Sequence, residues 1–305
     1  MEVSLTAPAE DFDKDAFISA VEQMLAILPQ NDDLRLEVTT DLRASVRAKH
    51  PDKDYAMKFE QSRDLGFVMG KTLNQDDGST DIIVDAQLFS HSARPGDAER
   101  TLEHEALHVA IGRRGEKLSD IRDRHGDPTS AYGITLEVAG AACEEFRVER
   151  ALWAKDTTPR ADSQLADFAG TLQRFEAVVA EASGVYQRDL NVGRILQKVG
   201  PAFNALATAT GYVAAEYDAS GRTRLPQISD DASRRLLGNA WADLVDILIQ
   251  LPPADRPAGR VDLDATAYQA AEHIGAWLAH IGFSWEDRDD GLFFHVMKPA
   301  QWAAV

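Results

Sequence analysis

The sequence has little of what several classes of protein require. It contains one cysteine, Cys143, so an intrachain disulfide cannot form, and this favours a reducing compartment. No run of about 18 apolar residues occurs, so no membrane-spanning helix is predicted. The first fifteen residues carry acidic side chains and lack the basic and apolar regions of a secretory signal. These absences predict an intracellular, cytoplasmic protein.

Basic residues are also scarce. Lys and Arg number 32 against 50 Asp and Glu, so the formal net charge is −18. Binding to a phosphate backbone or to an anionic membrane surface needs clustered positive charge, so neither nucleic acid nor membrane is an expected partner. Hydrophobic residues make up 44% and charged residues 27% of the chain, which is typical of a globular protein. The oligomeric state stays open.

Hydrophobic spacing and turn residues predict the elements of the first third of the chain. They indicate a loose acidic tail over 1–13, helices over 16–28 and 34–49, and strands over 55–59, 66–73 and 81–89. Turn-forming residues occupy Asn74–Ser79, so the last two strands are predicted to form a β-hairpin. Gly66–Thr72 is similar to a phosphate-binding loop, but it has one residue too few between its glycines, and a strand is favoured.

Helices dominate the rest of the predicted pattern. The first begins at the N-cap Asp97, reaches Ile111 and ends at Gly112, and a polar segment then leads to a long helix over 130–154. A linker is expected at 157–159, followed by helices over 163–182, 185–216 with a break at 200–201, 231–250 and 265–281, and by a small hairpin over 283–297. The prediction is an α+β, mostly helical fold. Residues 1–155 are expected to form one domain, which contains the motif described next, and residues 160–305 are expected to form a helical region that is either separate or merged with it.

The motif His104-Glu105-Ala106-Leu107-His108 carries the clearest chemistry. On a helix, residues four apart lie on one face, so both imidazoles can bind one Zn²⁺. Glu105 then lies beside the open position of the metal and can act as general base toward water. The alternative is an amphipathic helix with two surface histidines.

A zinc site of this type needs a third protein ligand, and a carboxylate on the long helix is the best candidate. Glu145 interrupts an otherwise apolar stripe, and a buried carboxylate is costly unless it is paired or binds metal. That stripe consists of Ile134, Val138, Ala141, Glu145, Val148 and Leu152. Glu144 is the competing ligand, and Glu149 is a candidate to accept a hydrogen bond from a histidine's other nitrogen. For Glu144 and Glu149, the alternative is ion pairing with Arg147 and Arg150 on a solvated face.

The two motifs together resemble a known group. H-E-x-x-H followed by Glu145-x-x-x-Glu149 resembles the gluzincin zinc metallopeptidases, although those usually have Asp where Glu149 stands. More narrowly, His104–Val109 with Glu144–Arg150 is similar to metallopeptidase-like domains of bacterial and phage proteins. Those domains resemble a cobaltochelatase subunit, often accompany von Willebrand A domains, and carry H-E-x-x-H-V and E-D-x-R-x-E. In this alignment Glu144 matches the first acid and Glu145 replaces the Asp, so the choice of ligand stays open.

The resemblance covers roughly residues 80–153. It implies a zincin-like core, Zn²⁺ as cofactor and hydrolysis of a protein or peptide substrate. The alternative is a catalytically inactive zincin-like module that binds a protein or has a structural role. Two further residues, His125 and Tyr132, are candidates to stabilise an oxyanion, with a surface histidine and a packed tyrosine as the alternatives. Cys143 is predicted to be a packed helix residue.

Overall fold

The computed structural model describes residues 1–6, 11–53, 59, 62–63, 66–125, 127, 129–155, 163–221, 236–237, 240–289 and 291–296. The fold is α+β and mostly helical, as predicted. Contacts divide the chain into two compact units, Met1–Gly115 and Glu116–Val305, whereas the sequence suggested a division between residues 155 and 160. In the described part of the chain, no helix combines the length and apolar character needed to cross a membrane.

The first unit is built on a four-stranded sheet. Its strands are β1 (Glu2–Leu5), β2 (Leu34–Thr39), β5 (Gly70–Asn74) and β6 (Thr80–Asp85), in the order β1-β2-β6-β5. The first three strands of that order run parallel, and β5 pairs with β6 in the antiparallel direction. The short strands β3 (Ser62–Arg63) and β4 (Gly66–Phe67) form a separate antiparallel pair.

Helices cover both faces of the sheet. On one face, α1 (Lys14–Ile27) and α3 (Asp97–Arg113) pack against apolar side chains of β2 and β6. On the other face, α2 (Leu42–Lys49) packs against Ile83 and Leu73. Residues 86–89 form a 3-10 turn after β6. Because alternate residues of a strand face opposite sides, Ile82 and Val84 join the first cluster and Ile83 joins the second.

Two segments of this unit were predicted with the wrong type of structure. The predicted helix over 34–49 is strand β2 followed by helix α2. Leu34, Leu36 and Val38 alternate along a strand that is hydrogen-bonded on both sides, and this pairing outweighs helical spacing. The predicted loose tail contains β1, which pairs in parallel with β2.

Other predictions for this unit fare better. The predicted hairpin is confirmed, but its first strand is shorter than the predicted 66–73. Only Gly70–Asn74 pairs with β6, and Gly66–Phe67 pairs with β3 instead. The helix predicted from Asp97 to Ile111 is confirmed as α3, although Gly96 is its N-cap residue and it continues through Gly112 to Arg113. The strand predicted to run to Phe89 ends at Asp85. The strand predicted over 55–59 lies outside the described residues except for Phe59.

The second unit is helical. It comprises α4 (Ile121–Arg124), α5 (Ala131–Lys155), α6 (Ser163–Asp189), α7 (Val192–Ala219), α8 (Ala240–Leu248), α9 (Arg260–Ile281) and a hairpin of β7 (Phe283–Arg288) and β8 (Gly291–Val296). Helix α5 packs on α7 and α9, and α6 packs on α7. The Phe203 ring contacts the rings of Phe175 and Trp277 in the core between these helices.

Most elements of this unit match the prediction. The long helix and the terminal hairpin are confirmed. The predicted break at Gly200-Pro201 is wrong, because α7 is continuous. Proline removes one backbone donor from a helix, but the buried residues Val199 and Phe203 on either side keep this turn packed. The predicted linker 157–159 lies outside the described residues. Of the predicted helix 231–250, residues 231–235 and 238–239 also lie outside them, and Ala240–Leu248 is confirmed as α8.

Candidate metal centre

Helix α3 brings the two motif histidines together. The Nε2 atoms of His104 and His108 lie 3.2 Å apart, and both side chains are half-buried. Leu102, Ala106 and Val109 bury the opposite face of the helix in the core of the first unit. The apolar face therefore fixes the rotation of the helix, and this fixes the side on which the histidines lie.

Strand β5 holds Glu105 in place. The Glu105 side chain is buried, and its Oε2 accepts a hydrogen bond of 2.7 Å from the Thr72 hydroxyl. Gly70 lies two residues earlier on the same face of the strand and lets α3 approach the strand closely. A Cβ at this position would lie 3.1 Å from Glu105 Oε1 and 3.0 Å from Thr101 Cγ2. The roles of Thr72 and Gly70 were not predictable from the sequence, because no local pattern links a hairpin strand to a motif 33 residues further along the chain.

Glu144 has a structural role in the second unit. Its side chain is buried, and Oε2 accepts hydrogen bonds from the backbone N–H groups of Leu118 (2.8 Å) and Ser119 (2.9 Å). One turn earlier, Gly140 permits the same segment to pack on α5, since a Cβ there would lie 2.2 Å from the Leu118 carbonyl oxygen. Glu144 therefore anchors the segment before α4, and the alternative of a solvated face is wrong for it.

Glu145 is held by a hydrogen bond from helix α7. Its Oε2 accepts a hydrogen bond of 3.0 Å from the Tyr212 hydroxyl. Gly211 brings the two helices together, because a Cβ there would lie 2.6 Å from the Ala142 carbonyl oxygen. The expected burial of Glu145 is wrong in degree, since Glu145 is half-buried and Glu144 is the more buried acid. Helix α5 packs on neighbours around more of its circumference than one stripe.

Glu149 lies one turn beyond Glu145 and is buried, so the alternative of a solvated face is wrong for it too. The two nearby arginines have other acidic partners. Arg147 is fully buried and pairs with Glu116 at 2.7 Å, and Arg150 pairs with Asp218 at 2.7 Å. The predicted contact between Glu149 and a histidine nitrogen stays a prediction.

Three of the predicted site residues come together. His104, His108 and Glu145 each offer one ligand atom, and these atoms all lie within 4.8 Å of one another. Glu144 and Glu149 are not members of this group. For Zn–N distances of about 2.0–2.1 Å, two nitrogens of a tetrahedral site lie about 3.3 Å apart. The separation of 3.2 Å between the histidine nitrogens fits that geometry, and two imidazoles with one carboxylate are a donor set that zinc accepts.

His125 and Tyr132 belong to an aromatic cluster. Their ring centroids lie 5.0 Å apart, and the Tyr132 ring stacks on Tyr268 at 6.5 Å. Burial, with the neighbouring Glu272 and Tyr268, raises the pKa of the Tyr132 hydroxyl. Tyr132 is thus a packed tyrosine, and its role at an oxyanion stays a prediction. Cys143 is packed as predicted, and burial raises the pKa of its thiol to about 12.

Comparison with models of protein families, with curated proteins and with solved structures returned no match to this chain.

Proposed function

We propose that the protein is a zinc-dependent metallopeptidase in which His104, His108 and Glu145 bind the metal. The observation that carries the proposal is the grouping of these three ligand atoms within 4.8 Å. Glu105, which adjoins the first histidine in sequence, is buried and oriented by a hydrogen bond. Zn²⁺ bound at this donor set acidifies water and polarises a carbonyl group. The resemblance to gluzincins across residues 80–153 agrees with this assignment.

The chain's own residues handle the proton. The Glu105 carboxylate accepts a proton from the attacking water as the oxygen adds to the scissile carbonyl carbon. The same carboxyl group returns the proton to the departing amine nitrogen when the C–N bond breaks. Thr72 donates to Glu105 Oε2 and so limits the orientations of the carboxylate. The products are a carboxylic acid and an amine, and Glu105 ends the cycle ionised.

The substrate class that follows is a peptide or protein. The net charge of −18 argues against nucleic acid and anionic membranes as partners. We place the protein in the cytoplasm, because its one cysteine, Cys143, is a buried free thiol, which a reducing compartment favours.

Metal content tests the ligand set directly. Purified wild type is expected to hold close to one zinc per chain, and His104→Ala and Glu145→Ala are expected to lose it. Glu144→Gln is the matched control, since it changes the adjacent acid while keeping its shape. Zinc retained in Glu145→Ala but lost in Glu144→Gln would transfer the ligand to Glu144, and no zinc in wild type after zinc is supplied would overturn the site.

Glu105→Gln tests the chemistry. Removal of a general base lowers the rate by about 10²–10⁴-fold, and zinc content is expected to be unchanged. The assay is cleavage of a peptide library followed by mass spectrometry. If wild type and Glu105→Gln cleave equally well, Glu105 is not the base. If zinc is bound and no peptide is cleaved, the protein is an inactive zincin-like module.

A further inference from the structure

The second unit contains a cavity of about 290 Å³ that the proposed chemistry does not use. It lies among α5, α7, α9 and the terminal hairpin. We call the buried apolar lining residues on the helices the floor of the cavity; they are Val199, Phe203, Ile274 and Leu278. The aromatic rings of Trp285 and Phe294 line the cavity on the side of the hairpin. The rings of Trp285 and Phe294 contact each other at 4.8 Å. A cavity with this lining favours an uncharged, apolar occupant.

The mouth of the cavity is more polar than its floor. Glu137 and Asn204 are exposed, whereas Ile134 and Val138 are half-buried. Glu137 is paired with Arg122 on the neighbouring helix α4. None of the described residues that line the cavity is Lys or Arg, so this lining offers no cation to an acidic occupant.

The cavity lies in line with Glu145 along α5. Ile134 and Val138 precede Glu145 by eleven and seven residues, and both spacings return to the same face of a helix with about 3.6 residues per turn. At about 1.5 Å per residue, the two side chains lie about 10 to 17 Å from Glu145 along the helix axis. Ala141, a small half-buried residue, occupies the same face between them.

Helix α7 likewise carries, on one face, a residue that lines the cavity and a residue that contacts Glu145. Pro201 lines the cavity, and Tyr212, which binds Glu145, follows it by eleven residues on the same face. Ala205 and Thr208 lie between them and are half-buried. Between the cavity and the Glu145 carboxylate, these faces of α5 and α7 therefore carry the small side chains of Ala141, Ala205 and Thr208.

We propose that the cavity is a specificity subsite for a large apolar side chain of the substrate peptide. An extended peptide advances about 3.3 Å per residue, so the bound side chain lies about three to five residues from the scissile bond. Leucine, methionine and phenylalanine fit the apolar and aromatic lining, and aspartate and glutamate are disfavoured. The proposal rests on the proposed function, since it requires a peptide bound beside Glu145.

Binding tests the subsite without the need for catalysis. Zinc-loaded Glu105→Gln is titrated with fluorescent twelve-residue peptides in which a single leucine is scanned through an alanine and serine background. Leucine at one position is expected to tighten binding at least about tenfold over alanine, as apolar pockets do. Val138→Trp, which fills the mouth of the cavity, is expected to remove this difference. Val245→Trp, a half-buried valine on α8 outside the cavity, is the matched control and is expected to keep it.

Cleavage by the wild-type enzyme supplies the register. The preferred leucine is expected about three to five residues from the cut, and Val138→Trp is expected to lower kcat/KM for that peptide about tenfold while the all-alanine peptide is unaffected. If Val138→Trp fails to fold, as judged by thermal unfolding, Asn204→Trp at the exposed rim replaces it.

The outcomes separate the two proposals. A leucine preference that Val138→Trp removes, without any cleavage by wild type, leaves the subsite in place and overturns the peptidase. Cleavage with no apolar preference, or with a preference that survives a folded Val138→Trp (or its replacement Asn204→Trp), overturns the subsite and leaves the peptidase.

Discussion

Thr72 and Tyr212 each donate one hydrogen bond to a carboxylate that the proposed mechanism needs, and neither is a metal ligand. Thr72 orients Glu105 from strand β5, and Tyr212 holds Glu145 from helix α7. A carboxylate with one oxygen held in this way has fewer orientations, so less conformational entropy is lost when it reacts or binds. The two residues are positioning residues, and each can be tested by removal of a single hydroxyl.

Thr72→Val is expected to lower kcat/KM by about 10- to 100-fold, because a hydrogen bond to a charged group contributes about 1.5–3 kcal/mol. Zinc content is expected to be unchanged, since among the described residues the hydrogen bonds of the Thr72 hydroxyl go to Glu105 and not to the histidines. Thr72→Ser keeps the hydroxyl and is expected to restore most of the rate. Equal activity of the valine and serine variants would show that the hydrogen bond does not orient Glu105.

Tyr212→Phe is expected to weaken zinc binding by about 10- to 100-fold, the usual effect when a group that orients a metal ligand is removed. Competition with a chromophoric chelator measures the affinity. Tyr132→Phe is the control, because Tyr132 packs in the aromatic cluster with His125 and Tyr268. If both variants bind zinc as tightly as wild type, Tyr212 does not position Glu145.

At the scale of elements, α5 anchors two irregular segments of the second unit. Glu144 holds the backbone of Leu118 and Ser119. Arg147 donates to Glu116 and to the carbonyl oxygen of Pro252, and its own carbonyl oxygen accepts from Ala254 N–H. Glu116 in turn accepts from Ala258 N–H. One helix thus keeps the segments before α4 and before α9 in place.

Arg147→Met is expected to lower the free energy of unfolding by about 3–5 kcal/mol, because Glu116 would remain buried without its cation. The measurement is equilibrium unfolding in urea. The double variant Arg147→Met with Glu116→Gln removes the uncompensated charge and is expected to recover part of the loss. A double variant less stable than the single one would show that the pair is not the source of the effect.

Helix α1 depends on its cap in a pH-dependent way. The Asp13 carboxylate accepts hydrogen bonds from the backbone N–H groups of Ala16 and Asp15. The pKa of this carboxyl is lowered from 3.8, mainly because of the hydrogen bond from Ala16. A lowered pKa means that the ionised cap stabilises the fold above pH 3.8, and that this contribution is lost as the pH falls through the lower value. Asp13→Ala is expected to lower the thermal unfolding temperature at pH 7, and this difference from wild type is expected to shrink at acidic pH, below the lowered pKa of Asp13. An equal difference at neutral and acidic pH would contradict this role.

At the scale of the whole molecule, the division by contacts predicts which fragments fold. Residues 116–305 include α5 with both of its main helical neighbours, α7 and α9, so this fragment is expected to unfold cooperatively on its own. A fragment of residues 156–305 is cut where the sequence suggested a boundary, and it lacks α5. Its apolar residues on α7 and α9 would be exposed, so it is expected to bind a hydrophobic dye and to unfold without a sharp transition. Circular dichroism on heating distinguishes the two, and cooperative unfolding of both would place the boundary after α5.

The sequence by itself determined the features that depend on residues close together in the chain. The spacing of four residues between His104 and His108 places both on one face of any helix, and the turn residues at Asn74–Ser79 specify the hairpin that carries Thr72. Helical periodicity over long segments likewise predicted α3, α5 and α9, because the apolar pattern of a long helix repeats many times.

Only the tertiary structure decided which distant residues meet. The alternation at Leu34–Val38 became a strand because β1 and β6 pair with it on either side. Glu144 and Glu145 are adjacent and chemically identical, so only their different hydrogen-bond partners in the folded chain distinguish their roles. The backbone N–H groups of Leu118 and Ser119 donate to Glu144, and the Tyr212 hydroxyl donates to Glu145. Local spacing does not encode such contacts, because they form between side chains that only packing brings within hydrogen-bond distance.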